Sequence, residues 1–222
     1  MEISKFNLDK AKAAIEDGNC EEVVPLLLPL AESGDVEAQF LLGHMYFADC
    51  EYPFTDSFAR DWLVKARKQG HAGACYHLAR FPNAEGVCSI DDAESMNLLI
   101  EAGERGSVEA QRELGAYFAT GDWIGPKDEA KAVEWYTKAA EQGHAESQYD
   151  LGFMMLLGEG TSKNILGGME WLIKAAEQEN YSACRLLADI YAEGMFGVSR
   201  NEDEAKHWEE KCSNGSDNVA RQ

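Results

Sequence analysis

SVEAQRELGAYFATGDWIGPKDEAKAVEWYTKAAEQG, residues 107–143, is one complete unit of a repeat, and its reading decides the fold. Ala110, Leu114, Gly115 and Phe118 fall at helical spacing on a first segment, and Ala132, Trp135, Ala139 and Ala140 on a second. GDWIGPKD, residues 121–128, separates the two. Neither helix can bury its apolar face alone, so the pair must stack on others of its kind. The next stretch, from His144, repeats the same order of residues.

Aligning on the small residue that closes each pair places Gly34, Gly70, Gly106, Gly143, Glu179 and Gly215 at intervals of 36 or 37 residues. Eight residues after each anchor stands an apolar residue followed by a small one: Leu42-Gly43, Leu78-Ala79, Leu114-Gly115, Leu151-Gly152 and Leu187-Ala188. The small residue lets two helix backbones approach closely. Eight residues before an anchor stand Trp62, Leu98, Trp135 and Trp171, with Trp208 one place off register, which implies a one-residue insertion in the last unit. A buried tryptophan contributes roughly 150–250 Å² of contact, on the order of 4–6 kcal/mol before entropy is subtracted, so this column is expected to be core.

The pattern A-x-x-x-L-G, then G, then D-x-x-x-A-x-x-W-Y-x-K-A-A-E-Q-G resembles the Sel-like repeat family, which is related to the tetratricopeptide repeats. It is carried by Ala110, Leu114, Gly115, Gly121, Asp128, Ala132, Trp135, Tyr136, Lys138, Ala139, Ala140, Glu141, Gln142 and Gly143. The unit from His71 departs from it, with Arg80-Phe81-Pro82-Asn83 in place of G-x-x-Y, and Pro82 is expected to end its first helix early. The resemblance implies an all-α fold, a right-handed α/α superhelical solenoid of helix-turn-helix repeats that binds protein on its inner surface. The expected organisation is an N-terminal capping helix pair at 1–34, repeats at 35–70, 71–106, 107–143, 144–179 and 180–215, and a flexible tail at 216–222.

Within this frame Asn19-x-x-Glu22, Ser89-x-x-Asp92 and Ser199-x-x-Glu202 read as helix-capping boxes. Pro25 and Pro29 are expected to kink the second helix. Pro126 is expected in a first helical turn, and Gly167-Gly168 to soften the helix that holds them.

Among 222 residues, 40 acids against 20 bases leave a net charge of −20. Phosphates would be repelled, so no nucleic acid is expected as partner, and a protein or peptide of basic character is favoured by charge. No apolar run reaches the roughly 18 residues of a membrane span and none resembles a signal peptide, so a cytoplasmic, non-membrane protein is expected. The six cysteines, Cys20, Cys50, Cys75, Cys88, Cys184 and Cys212, do not recur at one place in the repeat and are expected to be reduced. His71 and Cys75 share a helical face without an evident third ligand, and His71 and His144 both follow an anchor, which points to a role in the turn. No motif of catalysis, metal or cofactor binding is present, so no enzyme and no cofactor are expected.

By analogy with tetratricopeptide arrays, positions two before and two after each repeat leucine face the groove. The first column is Phe40, Tyr76, Arg112, Tyr149 and Arg185, and the second is His44, Arg80, Ala116, Phe153 and Asp189. Three of the chain's eight arginines fall here, and arginine suits carboxylates and aromatic rings. The expected partner-binding set is Phe40, His44, Tyr76, Arg80, Arg112, Tyr149, Phe153 and Arg185, with Arg112 and Arg185 on acidic groups or, alternatively, paired with acids of neighbouring helices. The expected function is an adaptor or regulator. Because bacterial members of the resembled family include neutralisers of toxins, an immunity protein against a basic effector is the alternative. Hydrolysis of small cell-wall-type ligands, credited to some secreted relatives, is a remote one.

Overall fold

The anchor residues are where the chain turns. In a computed structural model, which describes residues 2–17, 19–47, 55–81, 93–121 and 126–219, Gly34, Gly70, Gly106 and Gly143 have φ between +91° and +99°. This left-handed turn ends a helix and suits a residue without Cβ. Glu179 makes the same turn at φ 63°. After each anchor the next backbone N–H donates to a carbonyl five residues back, Asp35 to Leu30, His71 to Ala66, Ser107 to Ala102, His144 to Ala139 and Asn180 to Ala175, at 2.9–3.1 Å.

The residue after the anchor then starts the next helix. Asp35, His71, Ser107, His144 and Asn180 each accept, through the side chain, the N–H three residues on, at 2.9–3.3 Å. The two histidines do so through Nδ1, so their place after an anchor is that of a helix cap.

All secondary structure among the described residues is helical or turn, and the chain falls into two compact units, Met1–Ala110 and Gln111–Gln222. The first holds α1 (Glu2–Glu16), α2 (Val23–Glu32), α3 (Val36–His44), α4 (Asp56–Lys68), α5 (Ala72–Ala79) and α6 (Ala93–Glu104), each packed on the next. α7 (Val108–Thr120) runs into the second unit, where α8 (Glu129–Glu141), α9 (Ala145–Leu157), α10 (Ile165–Glu177), α11 (Tyr181–Glu193) and α12 (Glu202–Val219) pack in succession.

In the last three repeats the second helix is tied to the first by a backbone bond at its cap, Asp128 N–H to Phe118 O at 2.8 Å, Asn164 to Met155 at 2.9 Å and Asn201 to Tyr191 at 2.9 Å. Leu42, Leu63, Leu114, Leu151, Leu172 and Leu187 are fully buried, and Trp62, Trp135 and Trp208 nearly so. Lys65, Lys138 and Lys174 lie 3.6, 3.8 and 4.0 Å from the ring centres of Trp62, Trp135 and Trp171, one helical turn back. The divergent second repeat has Leu98 and Glu101 at those two places, and Glu101 instead bonds Arg67 and Arg105, both at 2.7 Å.

Glutamine pairs tie the end of a repeat's second helix back to the start of its first. Gln69 Nε2 donates to Gln39 Oε1 at 2.8 Å, Gln142 to Gln111 at 2.7 Å and Gln178 to Gln148 at 2.8 Å. In register these are the residue five past one anchor and the residue before the next. At the divergent repeat the same two places hold Cys75 and Arg105, whose guanidinium lies 3.2 Å from Sγ.

Several local expectations change. Glu22, not Asn19, precedes α2, after a short 3-10 turn at Cys20–Glu22, and makes no side-chain cap bond. Pro25 sits in the first turn, where its missing N–H has no partner to lose, and α2 continues through Pro29 to Glu32. Pro126 lies ahead of α8, whose cap is Asp128. Asn201 rather than Ser199 caps α12, accepting from Asp203 and Glu204 N–H at 3.2 Å. With no proline after Glu202 to interrupt it, α12 continues to Val219, through most of the segment read as a tail. Ser89-x-x-Asp92 and Pro82 lie outside the described residues, although α5 does end at Ala79.

Candidate protein-binding faces

Two turns of each first helix carry the expected partner-binding residues, and those turns differ between the units. In the first unit α3 and α5 bring rings together. Phe40 stacks on His71 with centroids 4.1 Å apart and on His44 at 5.5 Å, and His77 lies 5.6 Å away. His44 Nδ1 and His77 Nε2 are hydrogen-bonded at 3.0 Å, and Phe47 packs 4.6 Å from His77. Arg80 lies 5.5 Å from the ring centre of Tyr76. Phe40, His44, Tyr76 and Arg80 are therefore joined in one cluster, whose organising groups, His71 and His77, were not in the expected set.

Their titration follows from this packing. Burial, then the neighbouring His44, Arg80 and His71, pushes His77 down to about 3, and burial also lowers His44. His71 accepts the cap bond at Nδ1, so its Nε2–H faces Glu37 Oε2 at 3.2 Å, while Lys12 Nζ reaches Glu37 Oε1 at 2.7 Å. Together they hold the Glu37 carboxyl down at about 2. Among the described residues no three histidine, cysteine or acidic side chains are grouped to hold a metal ion. His71 and Cys75 are taken up by the cap and by Arg105.

Acid should weaken this unit. An unfolded imidazole takes its proton near 6.5 and His77 in the fold only near 3, so its contribution is complete above pH 6.5 and is lost as pH falls between those values. At pH 5 the loss is about 2 kcal/mol. Urea midpoints at pH 7.5 and pH 5 measure it, and His77→Gln should narrow the gap; an unchanged gap would refute the assignment.

In the second unit the face is mixed in charge. Arg112, from α7, places Nη1 3.5 Å from Glu146 Oε2 on α9, so it pairs with an acid of a neighbouring helix. Tyr149 and Phe153 on α9 stack with planes 8° apart and centroids 6.2 Å apart. Between them in sequence is Asp150, which has the Tyr136 hydroxyl of α8 for a neighbour. Gly115 makes room for that ring, since a Cβ there would lie 2.6 Å from Tyr136 Cδ1. Burial, reinforced by Glu146, raises the Asp150 carboxyl to about 6 against the pull of Arg112 and Tyr136. Burial, then Asp150, raises the Tyr136 hydroxyl. Arg185, on α11, is exposed and has no acid within ion-pair distance among the described residues.

Asp150 and His77 occupy one register position, seven past the anchor, where Leu41, Glu113 and Leu186 stand in the other repeats. A titratable group in a column that holds leucine in the first and last repeats was the signal for both.

The model of the Sel1 repeat matches residues 36–49, 108–144, 145–180 and 182–211, more than half of the chain. A solved protective antigen of uropathogenic Escherichia coli with an SLR fold is 34% identical over 86% of this chain, with a TM-score of 0.75, and this chain spans 40% of that protein's length. A Sel1 repeat protein from Oxalobacter formigenes is 27% identical, with 87% of this chain and 76% of that one covered and a TM-score of 0.66. An immunity protein from Pseudomonas aeruginosa, 17% identical with 93% and 81% covered and a TM-score of 0.58, shares the fold. No curated protein matches the chain.

Proposed function

The chain belongs to the Sel1 repeat family, whose repeats generally serve as protein-interaction scaffolds, and from that premise we propose that it holds a protein partner on the first helices of its repeats. One observation carries the reading. Phe40, His44, Tyr76, Arg80, Arg112, Tyr149, Phe153 and Arg185 all keep part of their surface open, whereas the repeat leucines beside them, Leu42, Leu78, Leu114, Leu151 and Leu187, are buried. Rings and arginines held open on rigid helices are what protein-binding surfaces use as anchors.

The net charge of −20 favours a basic partner and supports the narrower reading of an immunity protein that neutralises a basic effector, with association that slows as salt rises.

Affinity capture from a native lysate at low and physiological salt tests both. One dominant partner is expected, lost when Tyr149, Phe153 and Arg185 are replaced together by alanine, at about 2 kcal/mol for each central anchor. A partner retained by that variant, with its helix content intact, would move the interface off the second unit's face. Capture equally strong at both salt concentrations would remove the charge-steered reading.

A further inference from the structure

Glu146, Tyr149, Asp150 and Phe153 recur at i, i+3, i+4 and i+7 on α9, so carboxylates and rings share one face of a single helix. The rings are half-buried and stacked nearly parallel. Two carboxylates are served here by one guanidinium, and Arg112 makes its ion pair with Glu146. Asp150 is left with the neutral hydroxyl of Tyr136. A largely buried carboxylate is stable when a cation or several donors face it, so Asp150 is short of a positive partner. Rings flanking the carboxylates add surfaces that attract cations and cover alkyl chains.

We propose that this face of α9 is a subsite for a lysine or arginine side chain of a protein partner, its charged head on Asp150 and Glu146 and its stem along Tyr149 and Phe153. The subsite rests on the reading of these faces as partner-binding and gives that partner's chemistry. It also recasts Arg112, which neutralises Glu146 until an incoming cation takes its place.

The test uses the full chain and three heptapeptides at low salt: one alternating glycine and lysine, its fully Nε-acetylated form, and one alternating glycine and glutamate. The lysine peptide is expected to shift the ring resonances of Tyr149 and Phe153. Asp150→Asn should weaken it tenfold or more, while Glu170→Gln, an exposed acid on α10, leaves it unchanged. Arg112→Gln should tighten it, an effect that a merely structural role for Arg112 does not produce. The acetylated peptide should bind at least tenfold more weakly than the lysine peptide.

Equal weakening by Asp150→Asn and Glu170→Gln would reduce the effect to diffuse charge and overturn the subsite. Binding of the glutamate peptide on the same rings would do so as well, while leaving the partner-binding reading in place with an acidic partner. No shift with any peptide also overturns the subsite, and lysate capture then judges the broader reading separately.

Discussion

Gly168→Val should cost the second unit about 3 kcal/mol or more, enough to lower its urea midpoint sharply. Gly152 and Gly168 face each other across α9 and α10, and a Cβ built on either lies 2.8 Å from the other's carbonyl oxygen. At Gly168 the same atom would also lie 2.9 Å from Leu156 Cδ2. The nearest obstacle is backbone, so a rotamer change of Leu156 alone cannot relieve it, and the helices must separate along a seam that includes Leu151, Leu156 and Leu172, all buried. Loss of helical signal on urea titration measures the effect, and a midpoint like that of the unchanged protein would mean that the two helices can part cheaply. Gly168 therefore does more than soften α10, the role expected of it from composition, because its bare backbone is the contact surface.

Asp150→Asn is expected to act the other way and raise stability at neutral pH. The carboxyl is ionised above about 6 in the fold and above about 3.8 when unfolded, so between those values the folded chain holds a proton that the unfolded chain has released. Stability from this group thus rises as pH falls from 6 towards 4, and above 6 the full penalty applies, about 3 kcal/mol. Asparagine keeps an acceptor for the Tyr136 hydroxyl and removes the charge. Urea midpoints of both proteins at pH 7.5 and pH 4.5 check this: the variant should lead at 7.5, and the lead should shrink at 4.5. A variant less stable than the original at pH 7.5 would show that the ionised carboxylate is well served. An acid retained at a cost to the fold is the pattern expected of a group kept for binding.

How far these features could be read from the sequence depends on how far apart their causes lie. The anchors were legible because each needs one residue type at one place, and Gly34, Gly70, Gly106 and Gly143 recur at that place. The aromatic and arginine columns came from register alone, two residues to either side of each repeat leucine. The glutamine pairs were not legible, because Gln39 and Gln69 are 30 residues apart and each alone reads as a polar surface residue. Asn201 was passed over for Ser199 because the spacing rule fitted Ser199 as well, and only the chain path after Arg200 decides which side chain meets the free N–H groups. At the faces, Arg112 was read either as held for a partner or as paired with an acid of a neighbouring helix, and the sequence did not decide between them because Glu146 lies 34 positions on, across a helix pair. Asp150 and His77 were hidden by the opposite problem. Their type was visible, but their burial depends on Tyr136 in one case and on Phe40, His44 and Phe47 in the other.

The glutamine pairs join a residue just past one anchor to the residue just before the next, always in the same direction along the chain. Both members therefore lie inside one repeat, and a gene segment of one repeat length carries its own donor and its own acceptor. Copying such a segment in frame adds a unit whose pair is already matched, and deleting one leaves every other pair intact. Arrays of this kind can lengthen or shorten by whole units without any compensating mutation. The Cys75–Arg105 pair is enclosed in its repeat in the same way. The divergent unit can thus be copied or lost whole, whereas a crossover between its two helices would set a glutamine against a cysteine or an arginine.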